Sequence, residues 1–277
     1  MLLLQFLFLA SCAVVKPAKS INNYYQKLST EDKKLADSLV LLALDYEGIY
    51  TISSRLKPMS SVATISFNLA NADTSKRGLR DVVDLASTDL QKLKRYQKVV
   101  NALQFDDLKF IINPFKINQK DKRIMQISVY RPSLIDSLLN VNQTFFSQFG
   151  FVPGTSPEIL INTTEYEYKY DRFRAYGYLF GYPEHAVTFF TNASIENDRT
   201  KEFVKRDFFQ IPVFTKEDGH FVYAIPKGYK TTATDSAIYN RAVYALNNYK
   251  NLRNSYLEKD SSERSYELLK AILKTKQ

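Results

Sequence analysis

The chain has 277 residues, enough for one large domain or two small ones with a substantial core. Hydrophobic residues make up 45% and charged residues 24%, an ordinary globular balance, while only 8 glycines weigh against Gly-rich phosphate loops and turn-dense β-sandwiches. The net charge is +9, but the basic residues are spread rather than blocked and no nucleic-acid motif accompanies them, so no nucleic-acid partner is expected.

The first element is a largely apolar run from Leu2 to Ala10. A membrane-spanning helix needs about 20 residues, so the run is too short to span. It suits the apolar core of a secretory signal, about 7–15 residues long. The run ends in Leu9-Ala10-Ser11-Cys12, an aliphatic residue, two small residues and a cysteine. This tetrapeptide resembles the lipobox of bacterial lipoproteins. The resemblance implies a signal peptide over 1–11, cleavage before Cys12, and a diacylglycerol on the Cys12 sulfur. It further implies a bacterial envelope location. No aspartate follows Cys12, which by the same resemblance favours the outer membrane over the inner. One departure is that no Lys or Arg precedes the run, so only the amino terminus of Met1 is positive.

Cys12 is the only cysteine, so no disulfide and no Cys-ligated metal is available to the body of the chain. Avoiding further thiols suits export to an oxidising compartment. Residues 12–20 read as a tether, with Pro17, small residues and no periodicity. Residues 21–277 read as one domain, with the break near 150–157 as the best place for a subdivision.

Helical spacing comes next. Leu35, Leu39, Leu42 and Tyr46 recur at 4, 3 and 4 residues, with Ser29 or Thr30 as cap and Gly48 as stop. Val82, Ala86, Leu90, Leu93, Val100 and Leu103 mark a second helix, preceded by "SVATISF" as a strand. Two apolar-rich arms around a polar turn at 118–122 predict a hairpin, with Pro114 at an edge or bulge. A second hairpin is expected around "KEDG", with Pro212 in its first arm. Ile238, Ala242, Ala245, Tyr249, Leu252 and Tyr256 alternate 4 and 3 along a long helix. Asp260 to Glu263 reads as a capping box for a last helix with Tyr266, Leu269 and Leu273 inward. The fold class is therefore α+β: helix-rich, with two hairpins forming small antiparallel sheets packed on helices.

The stretch "YKYDRFRAYGYLFGYPEHAVTFFTNA" stands apart. It reads as a helix, Gly181 as stop, and Pro183 in the first turn of a second helix. Phe180, Val187 and Phe190 suit the core. Arg172, Arg174, Tyr176, Tyr178, Tyr182, Glu184 and His185 remain as a polar-aromatic set, suited to an anionic group held by arginine and stacked by tyrosine. The competing reading is a helical hairpin with half-buried tyrosines and solvated arginines.

Standard catalytic signatures are missing, and two histidines, His185 and His220, are too few for a His-rich metal site. Carboxylate pairs such as Glu165 and Glu167 cannot be judged without spatial separation. No cofactor and no metal are expected. The expectation is a lipid-anchored envelope protein with a non-enzymatic binding or accessory role, whose partner is an envelope protein, a glycan or an anionic lipid. The alternative is an envelope hydrolase or transferase using Glu184, His185 and His220.

Overall fold

The computed structural model describes residues 24–68, 87–116, 122–216, 221–257 and 261–275. Cys12, the lipobox and His220 lie outside them. The fold is α+β, with two small antiparallel sheets packed on helices.

Helix α1 spans Thr30–Asp45, and the Ser29 hydroxyl caps it by accepting from the Asp32 N–H at 3.2 Å. Glu31 and Asp32 in its first turn complement the dipole. Its core face is Ala36, Leu39, Val40, Ala43 and Leu44. Of the predicted stripe, Leu39 is buried, Leu35 and Tyr46 are half-buried, and Leu42 is 39% exposed. Helix α1 ends at Asp45, so Gly48 follows its end as expected, and Gly48 also opens α2, Gly48–Ile52. A Cβ at residue 48 would strike the Ala43 carbonyl, so glycine lets α2 fold back on the end of α1. All five residues of α2 are buried.

The strands β1, Met59–Asn68, β2, Lys109–Pro114, and β3, Lys122–Tyr130, form one sheet in the order β1-β3-β2. The hairpin β2–β3 is as expected, and its turn lies outside the described residues. Pro114 ends an edge strand opposite Met125, where no ladder donor is missed. Helix α3 spans Thr88–Ala102 with Ser87 as cap, so Val82 and Ala86 fall outside the described residues. The sheet carries helices on both faces. Ile65, Phe110, Ile112, Ile127 and Val129 pack with α1 and α3. Met59 and Tyr130 pack with the next group of helices.

That group comprises α4, Pro132–Val141, α5, Gln143–Phe146, α6, Pro157–Tyr166, and α7, Lys169–Leu179, with Val187 of α8, Glu184–Thr200. Ile135, Leu139 and Phe146, before the 150–157 stretch, share one apolar cluster with Leu160 and Leu179 after it. The second sheet pairs β4, Arg206–Ile211, with β5, Phe221–Pro226, and Pro212 sits just past β4.

Helix α9, Ala233–Tyr256, has the capping box, formed by Thr232 and Asp235. It buries Ala242, Ala245 and Tyr249 as the spacing predicts. Helix α10, Ser265–Lys274, does not start from a box at Asp260–Glu263. Arg264 is its N-cap in the left-handed region, and Asp260 lies outside the described residues. A distant residue serves the free N–H instead: Asp37 Oδ1 accepts from the Tyr266 N–H at 2.7 Å. Among the described residues, no helix is long and apolar enough to cross a membrane.

Candidate functional site

The α7–α8 hairpin forms as its punctuation predicts. Gly181 holds φ at 72°, a conformation glycine enters without penalty. Pro183 is the N-cap of α8, one residue ahead of its first turn. A Cβ on Gly181 would run into the Leu56 carbonyl, and one on Gly177 would come within 2.8 Å of Val187 Cγ2. Gly181 therefore admits a neighbouring backbone, while Gly177 admits a side chain.

The polar-aromatic set does not converge. It divides among four neighbourhoods. Tyr178 donates to Glu184 Oε2 at 2.8 Å, Thr188 donates to Glu184 Oε1 at 2.8 Å, and Arg174 donates to the Thr188 hydroxyl at 3.0 Å. Burial and the Glu184 carboxylate push the Tyr178 phenol up to about 12. Tyr176 donates to Glu165, a buried carboxylate whose Oε1 also accepts from the Lys116 N–H at 2.8 Å. Arg172 reaches the Glu165 carbonyl at 3.4 Å. The Glu167 backbone carbonyl accepts from Lys116 Nζ at 3.1 Å.

His185 faces elsewhere. Its ring stacks on Tyr229 at 5.3 Å, and Nε2 lies 3.1 Å from Asp235 Oδ1. The two atoms are close, but Nε2 makes no aligned hydrogen bond there. Asp235 is fully buried. Burial raises its carboxyl, but hydrogen bonds from Tyr223, the Thr232 hydroxyl, the Thr232 N–H and Tyr229 outweigh that and hold it at about 2.

Tyr182 packs against all three apolar clusters among the described residues, with its ring 6.0 Å from Phe221 and 5.8 Å from Tyr223. Burial pushes its phenol up. It is a junction of the core rather than an open platform.

Beside it lies a residue that sequence reasoning missed. Lys57 is fully buried, with Nζ 2.5 Å from Glu47 Oε2. Phe180, Tyr182 and Phe221 surround the ammonium at 5.2, 5.9 and 4.6 Å from their ring centres. Burial holds the lysine below its usual range, against the pull of Glu47. Nothing local marks Lys57, since it sits in a loop between α2 and β1 and its partners come from three other segments.

Among the described residues, a groove of about 830 Å³ lies between the end of α2, α9 and α10. Asn240, Tyr244, Asn248 and Asn251 recur at 4, 4 and 3 residues along α9 and line it. Tyr244 is 71% exposed. Ala245, Leu252 and Ile272 form the apolar part, and Ser53 and Ser54 supply hydroxyls. Among the described residues, Arg241 is the one charged lining residue, and it donates to the Ser54 carbonyl at 3.3 Å. None of the predicted site residues belongs to this groove. A signal was present: the outward stripe of α9 carries amides and a tyrosine where lysine and glutamate are usual on a solvated face. Among the described residues, no group of three or more His, Cys, Asp or Glu is placed to hold a metal ion.

In comparisons with known proteins, no family model, no curated protein and no solved structure matches the chain.

Proposed function

We propose that this protein is a lipid-anchored bacterial envelope protein that binds a neutral, hydrogen-bonding ligand, a glycan segment, in the α9 groove. The address rests on Leu9-Ala10-Ser11-Cys12 at the end of an apolar run. The observation that carries the binding half is the lining itself. Three amides offer both donors and acceptors, and an exposed tyrosine lies between them. Such groups match alternating hydroxyl and C–H faces of a sugar ring. Asn240 to Asn251 covers roughly 16 Å of helix at 1.5 Å per residue, room for a short oligosaccharide. Among the described residues no carboxylate lines the groove, which favours holding a ligand over acid–base chemistry on it. Glu184 and His185 support the same reading, since each already has partners in a different neighbourhood.

Two measurements test the proposal. Mass spectrometry of the mature amino terminus from the native host should find a diacylglycerol on Cys12, and a free thiol there removes the anchor. Calorimetric titration with a short N-acetylglucosamine oligomer should show binding that Y244A weakens at least tenfold. Failure to bind, or binding indifferent to Y244A, removes the groove.

A further inference from the structure

The exposed face of α3 carries Lys92, Lys94, Arg95 and Lys98 within two turns. Arg95 and Lys98 lean onto the first turn of α1. Arg95 Nε lies 2.8 Å from Asp32 Oδ1, and Lys98 Nζ lies 2.8 Å from Asp32 Oδ2. Arg95 Nη2 also donates to the Glu31 carbonyl at 2.6 Å. These bonds fix the basic face beside the start of α1, six residues after Tyr24, the first described residue. Lys27 and Lys34 add exposed cations near the same helix start.

Among the described residues three acids stand beside these cations, and Asp37, further along α1, interacts with Glu263 and Glu267. Asp32 is shared by Arg95 and Lys98, and Asp89 accepts from the Asn68 N–H and side-chain amide. Glu31 is exposed. Lys92 and Lys94 form no ion pair among the described residues. Among the described residues the face therefore keeps a surplus of positive charge.

We infer that this face docks on an anionic lipid surface and sets the orientation of the domain on the bilayer. The inference rests on the proposed anchor at Cys12. The segment from Cys12 to Tyr24 reaches at most about 40 Å, so an anchored domain holds the basic face close to lipid headgroups at high effective concentration. Acyl chains supply the attachment, and the cations supply preference for negative charge. Each lysine at such a surface changes partitioning about fivefold.

The test uses the full chain carrying C12S, which cannot be lipidated, floated with vesicles of phosphatidylcholine alone or with one-third phosphatidylglycerol. Binding should favour the anionic vesicles and fall with added salt. K92Q/K94Q should lower that binding about twenty-fivefold at low salt. K205Q/K230Q removes the same charge from exposed positions flanking the second sheet and should leave it near the starting level. Equal binding to both vesicle types, or equal loss in both variants, overturns the inference. Because C12S carries no lipid, this result is separate from the mass measurement on Cys12, which tests the anchor alone.

Discussion

Lys57 Nζ lies 2.5 Å from Glu47 Oε2 inside the fold, and the lysine has no exposed surface at all. A buried ion pair contributes little net stability, but breaking one partner leaves an uncompensated charge. Three aromatic rings surround the ammonium, so it cannot turn to water. Glu47 keeps 19% of its side chain exposed and can be hydrated if left alone. Replacing Glu47 should therefore hurt more than replacing Lys57. E47A should cost about 3 kcal/mol, and K57M clearly less. Urea unfolding of both variants checks the order, and an equal or reversed cost contradicts the account.

Gly181 and Gly150 both hold positive φ, at 72° and 79°. Only at Gly181 would a Cβ meet backbone, the Leu56 carbonyl; at Gly150 it would meet open space. G150A should cost about 1 kcal/mol for the left-handed conformation alone. G181A should cost at least about 2 kcal/mol, because neither backbone segment yields easily. Thermal unfolding of the pair separates conformational strain from the clash.

Asp235 ties α9 to β5 through Tyr223, whose hydroxyl lies 2.6 Å from Oδ1. Its carboxyl is held at about 2, below the ordinary aspartate value near 3.9. In acid the unfolded chain binds its proton first. The stability this carboxylate contributes is thus complete above about pH 4 and is lost as pH falls through about 2. D235N should cost about 2 kcal/mol at pH 7, and its stability should fall less steeply over that acid window. Denaturation at pH 7, 4 and 2.5 measures the difference between the two proteins. Parallel curves would show that Asp235 is not a source of the acid sensitivity.

Asp37 accepts from the N–H of Tyr266, 229 residues later in the chain and in the first turn of α10. D37A should cost about 1–2 kcal/mol, the usual loss for a helix cap. The Tyr266 amide should exchange with solvent much faster in the variant, while the Leu90 amide, capped locally by Ser87, should not change. Residue-resolved hydrogen exchange distinguishes these outcomes.

Local features were legible without a structure wherever neighbours along the chain decide them. The 4-and-3 spacing of Ala242, Ala245 and Tyr249 marks one side of α9, and the alternation around Phe221 marks a strand. Gly181 and Pro183 are a stop and a start whose dihedral limits operate within a few residues. The lipobox resemblance of Leu9 to Cys12 is likewise read from adjacent residues.

The predicted recognition set was drawn from one contiguous stretch, and the tertiary structure distributed it. Tyr176 took Glu165, Tyr178 took Glu184, His185 took Asp235, and Tyr182 entered the core. Spacing on one helix shows which residues share a face but not what each face meets. The burial of Lys57, the Asp37 cap and the groove along α9 were decided only by packing. Each joins segments far apart in the chain, and the free energy that selects such partners comes from burying them together, a quantity that no short window of sequence contains.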